Sequence, residues 1–388
     1  MEILHTVQSY APAKNGMAEV VKQISENLVE MGHSVTVATS FDRRRREMQI
    51  NGVNIIDFDI EGNEVEGMRG HTDLYRHFLM NNGFDIITNF AAQQWATDCM
   101  LPVLGEIKAK KVFVPTGFSG LYLQKYAEYF RQMKQWMPQY DMNIFLSNDY
   151  RDINFAREAG VTKYKVIPNG ASAKEFLPES TINIRSLLGI PKHHFLVLLV
   201  GSHTCQKGHA EAIDIFRKSN LTNATLLIIG EPSSPKCYYS CRLSGTHFNW
   251  SPENRKNQKQ ILIESLSRKE TVAAYHEADL FLFPSNVECS PIVLFEAMAS
   301  RTPFLSTDAG NAREIVEWTH GGAILPTIKD GNGFSHADIA ASVPGFNEIC
   351  SDSVWRDFAA RNGYQSWKDK YTWEGIARQY ETVYEGLL

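Results

Sequence analysis

The chain of 388 residues has no run near the ~20 apolar residues that a membrane-crossing helix requires; the longest runs, such as Phe195 to Val200, have strand length. It has no excess of positive charge: 39 Lys and Arg stand against 44 Asp and Glu, a formal charge of -5, so no global field exists to hold a nucleic-acid backbone. Cysteine is scarce. Cys99, Cys205, Cys237, Cys241, Cys289 and Cys350 lack zinc-ribbon spacing, only Cys237 and Cys241 are near neighbours, and all six are read as reduced thiols. Neither G-x-G-x-x-G after the first strand nor G-x-x-x-x-G-K occurs, which removes dinucleotide oxidoreductases and P-loop NTPases. Met1 to Val7 enters a strand pattern directly, with no basic segment or cleavage site before it, so a cytoplasmic chain is expected and the sequons at Asn220, Asn223 and Asn249 carry no weight.

What the sequence does contain is alternation. Apolar strand-length runs at 2–7, 34–39, 53–57, 84–89, 111–115 and 142–147 are separated by helical patterns, and the series restarts after Pro168 with 195–200, 225–229, 260–263, 280–283, 304–306 and 323–325. That is the pattern of parallel sheets covered by helices, an α/β fold in two Rossmann-like domains, with a cleft expected between them. The predicted boundaries are 1–168, 169–367 and a terminal segment 368–388, whose stripe of Trp373, Ile376, Tyr380, Val383 and Leu387 has no following strand and must pack on something already built. Val20, Val21, Ile24, Leu28 and Met31 predict a first helix closed by Gly32. Ser267 to Glu270 reads as a capping box, and residues 232–257, showing neither period, read as a surface insertion.

Three loops carry candidate chemistry. Glu288-Cys289-Ser290-Pro291-Ile292-Val293 through Glu296 places two carboxylates eight residues apart around a helix start, with Ser290 as the expected N-cap and Pro291 the first helical residue. The Ile292 and Val293 N–H groups would then face an anion at the positive end of the helix dipole. Gly201-Ser202-His203-Thr204-Cys205-Gln206-Lys207 follows the first strand of the second half, where Lys207 can bring a charge to a phosphate. Tyr10 to Met17 forms the first strand-to-helix loop, with Gly16 permitting close backbone approach.

Taken in order, these segments resemble glycosyltransferase family 4, the retaining nucleotide-sugar enzymes of the GT-B fold in bacterial polysaccharide assembly. Glu288 and Glu296 match its E-x7-E element, Pro168-Asn169-Gly170 its Pro-Asn-Gly element, Lys207 its phosphate lysine, and Gly310-Asn311-Ala312-Arg313-Glu314-Ile315-Val316 its Gly-Gly-x-x-Glu-Ile-Val segment. The resemblance implies a hexosyltransferase that uses a nucleoside-diphosphate sugar, UDP-glucose by first choice, with a lipid-linked or growing glycan as acceptor and no metal cofactor. It implies that Lys207, with the Ile292 and Val293 N–H groups, stabilises the departing diphosphate, that Glu296 holds the ribose, that Glu288 holds the sugar, and that Leu266 meets the base. It places the acceptor near Asn89, Thr116 and Tyr122, with possible peripheral contact at the inner membrane face.

Several positions depart from the family pattern, the mildest being Asn15 beside Gly16 where the first loop usually has paired glycines. Ser202 stands where an Arg is usual, leaving phosphate stabilisation weaker or shared with His203, and Thr116 stands where a His is usual. These motivate a second reading, a catalytically weak or inactive relative that acts as a nucleotide-sugar-binding or scaffold protein. Pro291 also removes one N–H that a Gly would supply. Elsewhere, Asp57-Phe58-Asp59 has the spacing of a metal pair or of an acidic strand end, and Arg43 to Arg46 reads as an anion contact or a solvated loop. The stripe Tyr122, Tyr126, Tyr129, Met133 and Trp136, on a helix expected over 119–137, reads as core or as an acceptor or membrane surface.

Overall fold

The computed structural model describes residues 1–81 and 83–388, and the chain divides into two compact units. One comprises Met1–Asn169 with Trp373–Leu388, the other Gly170–Thr372. Residues 368–372 therefore belong with the second unit rather than with the returning segment. The reason is local: the helix Ser353–Lys370 runs unbroken, Trp367 donates its indole N–H to the Ala171 carbonyl (3.1 Å), and the Tyr371 carbonyl accepts from the Ala171 N–H (3.0 Å).

The first unit is built on eight strands in the order Tyr164–Val166, Met142–Phe145, Lys110–Val114, Ile86–Phe90, Glu2–Thr6, Ser34–Ser40, Val53–Phe58 and Gln49–Ile50. All pairings are parallel except the last, an antiparallel edge. Every residue of Ile86–Phe90 is buried, as expected where helices cover both faces of a parallel sheet. The helix Gly16–Glu30 begins where the Asn15 side chain accepts from the Ala18 N–H (2.9 Å), buries Val20, Val21, Ile24 and Leu28, and ends as predicted at Gly32, whose φ of +93° suits glycine.

The second unit carries six parallel strands, ordered Lys259–Glu264, Ala224–Ile229, Phe195–Val200, Leu280–Phe283, Phe304–Ser306 and Gly322–Ile324. The capping box forms as read, opening the helix Arg268–Glu277. Residues 232–257 do not form an irregular insertion: Pro235–Asn249 and Pro252–Asn257 are helices, capped by Ser234 and Ser251. Their period was hidden because the buried stripe is Cys237, Cys241, Gly245 and Phe248, in which small residues replace Leu or Ile. A Cβ on Gly245 would lie 3.2 Å from Ile261 Cγ2, so this helix sits close against the sheet.

The terminal helix Trp373–Glu385 packs on the first unit, burying Trp373, Ile376, Ala377, Tyr380, Val383 and Tyr384. Its anchor is polar. The fully buried His5 imidazole contacts Ser25 Oγ (2.7 Å) through Nδ1 and the Tyr384 hydroxyl (3.2 Å) through Nε2, and that hydroxyl also meets Thr88 Oγ1 (2.7 Å). Burial pushes the His5 pKa down from 6.5 to about 3, so the folded chain holds it neutral while the unfolded chain protonates it below 6.5. This contribution to stability is complete above pH 6.5 and is lost as pH falls towards about 3, at roughly 1.4 kcal/mol per pH unit. Urea unfolding of the first unit should show that slope, and His5→Gln should flatten it; an unchanged slope would remove His5 as its source.

Candidate active site

The geometry of the second unit starts from two glycines. Gly208, at φ +69°, could not carry a Cβ, which would lie 1.9 Å from the Pro284 carbonyl oxygen; on Gly230 it would lie 2.0 Å from the Gly201 oxygen. The first approach presses the loop after Phe195–Val200 against the loop after Leu280–Phe283, and the second presses it against the loop after Ala224–Ile229. Lys207 Nζ consequently meets Glu288 Oε1 at 2.6 Å, and Ser285 Oγ donates to the same oxygen at 2.7 Å. Lys207 lies just before Gly208, the cap of the helix His209–Lys218. Gly201 and Ser202, both half-buried, begin the same loop.

Across from Lys207, the helix Ile292–Ala299 starts one residue later than expected. Pro291 is its cap, with no side-chain hydrogen bond, while Ser290 Oγ accepts from Asn311 Nδ2 (3.1 Å). Ser290 thus fastens the Gly310-Asn311 turn instead of capping. Gly310, at φ +61°, leaves no room for a Cβ, which would sit 2.5 Å from the Cys289 oxygen. With Pro291 lacking an N–H, the first-turn N–H groups belong to Ile292 and Val293, whose residues are half-buried at the helix start.

Glu296, the residue expected to hold the ribose, is already partnered. It is 4% exposed, and its Oε1 pairs with Arg268 (2.6 Å), which also holds Glu175 through two nitrogens (2.7 and 3.0 Å). Sequence reasoning missed Arg268, although a signal existed: a cation in the first turn of a helix opposes the dipole and calls for an acidic partner. Leu266, half-buried in the preceding loop, lies beside this network in the chain. His203 is corrected too. It has no exposed surface and faces Cys237, so it cannot share a phosphate with Lys207.

Residues 180–332 match the family described as Glycosyl transferases group 1, and residues 14–175 match Glycosyltransferase Family 4. The chain belongs to the GT-B glycosyltransferases of the family 4 type. An uncharacterized glycosyltransferase of Methanocaldococcus jannaschii is 24% identical, covering 99% of this chain and 98% of its own. A lipopolysaccharide 1,2-N-acetylglucosaminetransferase of Salmonella typhimurium is 23% identical over 63% of this chain and 62% of its own. Among solved structures, sucrose-phosphate synthase from Thermosynechococcus elongatus superposes with a TM-score of 0.79 at 18% identity, covering 100% of this chain and 98% of that one. HepE of Anabaena, solved with UDP and glucose, gives 0.74 at 15%, covering 100% of both chains. The two Rossmann-like domains of this glycosyltransferase are those of the GT-B fold.

In the first unit the residues expected at an acceptor site part company. Asn89 is fully buried, donating to Thr6 Oγ1 (2.7 Å) and accepting from the Tyr140 hydroxyl (2.9 Å), so it braces the strand ends and offers nothing to an acceptor. The expected helix over 119–137 begins only at Gln124, as a 3-10 turn continued by Ala127–Trp136. Tyr126, Tyr129 and Met133 are core, leaving Tyr122 exposed (58%) beneath the Arg151 guanidinium at 5.2 Å. Gly16 is the first residue of its helix. Asp57 is ion-paired with Arg45, which also binds the Ala11 carbonyl (2.8 Å), while Arg44 pairs with Asp42 (2.7 Å). Neither a D-x-D metal pair nor a uniform basic patch results.

Thr116 is half-buried and left-handed at φ +58°, and it is followed by Gly117 at +98° and Phe118 at +48°. For a β-branched residue this conformation costs about 1 to 3 kcal/mol. The Gly117 N–H holds the turn by donating to buried Asp152 (2.8 Å), whose pKa burial raises to about 6. Two results are expected. Thr116→Gly should raise stability in chemical denaturation by about 1 kcal/mol through relief of that strain, and a loss would show that the turn is unstrained. Lys207→Ala should weaken UDP binding by about 1.5 to 3 kcal/mol, whereas Glu288→Gln, which releases the Lys207 ammonium, should tighten it by up to about 1 kcal/mol; calorimetric titration of both variants checks the pair.

Proposed function

We propose that this glycosyltransferase moves a hexose, with retention and without a divalent cation bridging the diphosphate, from UDP-glucose to a lipid-linked or growing glycan in envelope or exopolysaccharide synthesis. The observation that carries the reading is the Lys207–Glu288 pair beside the start of the helix Ile292–Ala299. It supplies one positive charge and a helix-terminal pair of N–H groups for a diphosphate, with a carboxylate adjacent for sugar hydroxyls. Donor binding exchanges the ion pair: the ammonium turns to the diphosphate and Glu288 accepts from hydroxyls of the hexose.

Thr116 is too weakly basic to deprotonate an acceptor hydroxyl. In the proposed step the acceptor oxygen bonds to the anomeric carbon on the face from which the diphosphate leaves, and a diphosphate oxygen takes the hydroxyl proton. The choice of UDP-glucose draws support from HepE of Anabaena, solved with UDP-glucose, and that of a surface glycan from the Salmonella lipopolysaccharide enzyme. Among the described residues no helix is long and apolar enough to cross a membrane. In this reading the protein works at the cytoplasmic face and touches the membrane peripherally when its acceptor is lipid-linked.

Titration with UDP-glucose, GDP-mannose and UDP-N-acetylglucosamine, each with and without added Mg2+, tests the donor. UDP-glucose should bind most tightly, with an affinity unmoved by Mg2+, and should be hydrolysed slowly to α-glucose. A dependence on Mg2+ would overturn the cation-free mechanism, and β-glucose as first product would overturn retention. Binding with neither hydrolysis nor transfer would favour a nucleotide-sugar-binding scaffold, the reading that Ser202 and Thr116 motivate.

A further inference from the structure

The loop Gly201–Gly208 meets the helix Pro235–Asn249 in a cluster that glycosyl transfer does not use. His203, Cys237 and Cys241 are all buried, and one ligand atom from each lies within 4.8 Å of the others. The two cysteines are one helical turn apart, so their side chains share a face. His203 Nδ1 stands 3.7 Å from Cys237 Sγ. With Zn–N about 2.05 Å and Zn–S about 2.3 Å at a tetrahedral angle, a nitrogen and a sulfur bound to one zinc ion lie about 3.6 Å apart. The His203–Cys237 separation matches that of two ligands on one ion. Cys205, exposed on the same loop, meets Ser234 Oγ at 3.9 Å and stands outside the 4.8 Å cluster; turning that exposed side chain from Ser234 towards Cys237 would close the shell from the solvent side.

The plain alternative is three core side chains packed for bulk. Against it stands the direction of the imidazole: its Nδ1 faces Cys237 Sγ, its ring stacks on His209 at 4.2 Å, whose Nε2–H donates to the Gly201 carbonyl (3.0 Å), and its buried Nε2, without a hydrogen-bond partner among the described residues, is the nitrogen that carries the proton when Nδ1 is a ligand. A buried imidazole whose Nδ1 meets only a thiol is costly to leave so poorly partnered.

We propose that His203, Cys205, Cys237 and Cys241 form a structural zinc site. One nitrogen and three sulfurs are a closed tetrahedral donor set for Zn2+, which would displace three thiol protons to solvent on binding and leave no open position for catalysis. The ion would tie the loop carrying Gly201, Ser202 and Lys207 to the helix beside it. Its bearing on donor binding rests on the reading of that loop above, but the site itself does not.

Titration of the reduced, metal-stripped protein with Co2+ reads the thiolates directly. A thiolate-to-cobalt charge-transfer band saturating at one equivalent, together with the visible bands of tetrahedral coordination, is expected, and Zn2+ should abolish both. Cys205→Ser, an exposed change that leaves the core intact, should remove about one third of the charge-transfer intensity, one thiolate of three. Cys237→Ser should remove at least one third as well, the share of one buried thiolate, whereas Cys350→Ser, a buried thiol elsewhere, should change nothing. Absence of the band in the wild-type protein overturns the site. A band that survives Cys205→Ser and Cys237→Ser at full intensity does so as well, and neither result depends on whether UDP-glucose is the donor.

Discussion

The close approach of Gly208 to the Pro284 carbonyl is the contact on which the donor half depends. Parallel strands end on one edge, and their loops can share a ligand only if neighbouring backbones come nearer than any side chain permits. Because Gly208 carries no Cβ, the loop ending at Lys207 lies against the one ending at Glu288, and the ammonium and carboxylate meet at 2.6 Å. Gly310 does the same for the next loop, where Asn311 then reaches Ser290. Three loops far apart in sequence become one surface through two missing methyl groups.

That surface has opposite charges in contact, which bears on how it would work. Lys207 is held by Glu288, and Glu296 by Arg268, so neither E-x7-E carboxylate stands open as a bare acceptor of hydrogen bonds. A ligand that brings its own negative charge and hydroxyls can take both partners of the first pair at once, leaving no charge uncompensated. In the Arg268–Glu296–Glu175 network the buried member is Glu296, and the network acts as a brace for the loop at Leu266.

The first unit is organised differently. Asn89, Tyr140 and Thr6 close a buried hydrogen-bond chain beneath the strand ends, while Thr116, Gly117 and Phe118 form a left-handed run above it, held by Asp152. Rigid support under a strained turn is an arrangement that fixes the position of a group, and here that group is half-buried Thr116 with the nearby loop to exposed Tyr122. His5 completes the unit by joining the first strand to the last helix, the link that makes residues 373–388 part of it.

The sequence by itself determined the two α/β series, the capping box at Ser267, the first helix and its Gly32 stop, and the terminal amphipathic helix, because each is written in local periodicity or in a cap within four residues. It also determined the family, since Lys207, Glu288 and the Pro-Asn-Gly and Gly-Asn elements keep their order. Tertiary structure decided which of those groups touch. The Lys207–Glu288 pair spans 81 positions and the Arg268–Glu175 pair 93, and no spacing rule announces either. The helix Pro235–Asn249 escaped for a related reason: its buried face is Cys, Cys, Gly and Phe, and that face became legible only once Ile261 was seen to lie beneath it. Cys237 and Cys241 alone were a pair without a partner. The fold brought His203 to them, because the loop after Val200 and the start of that helix leave the same edge of one parallel sheet.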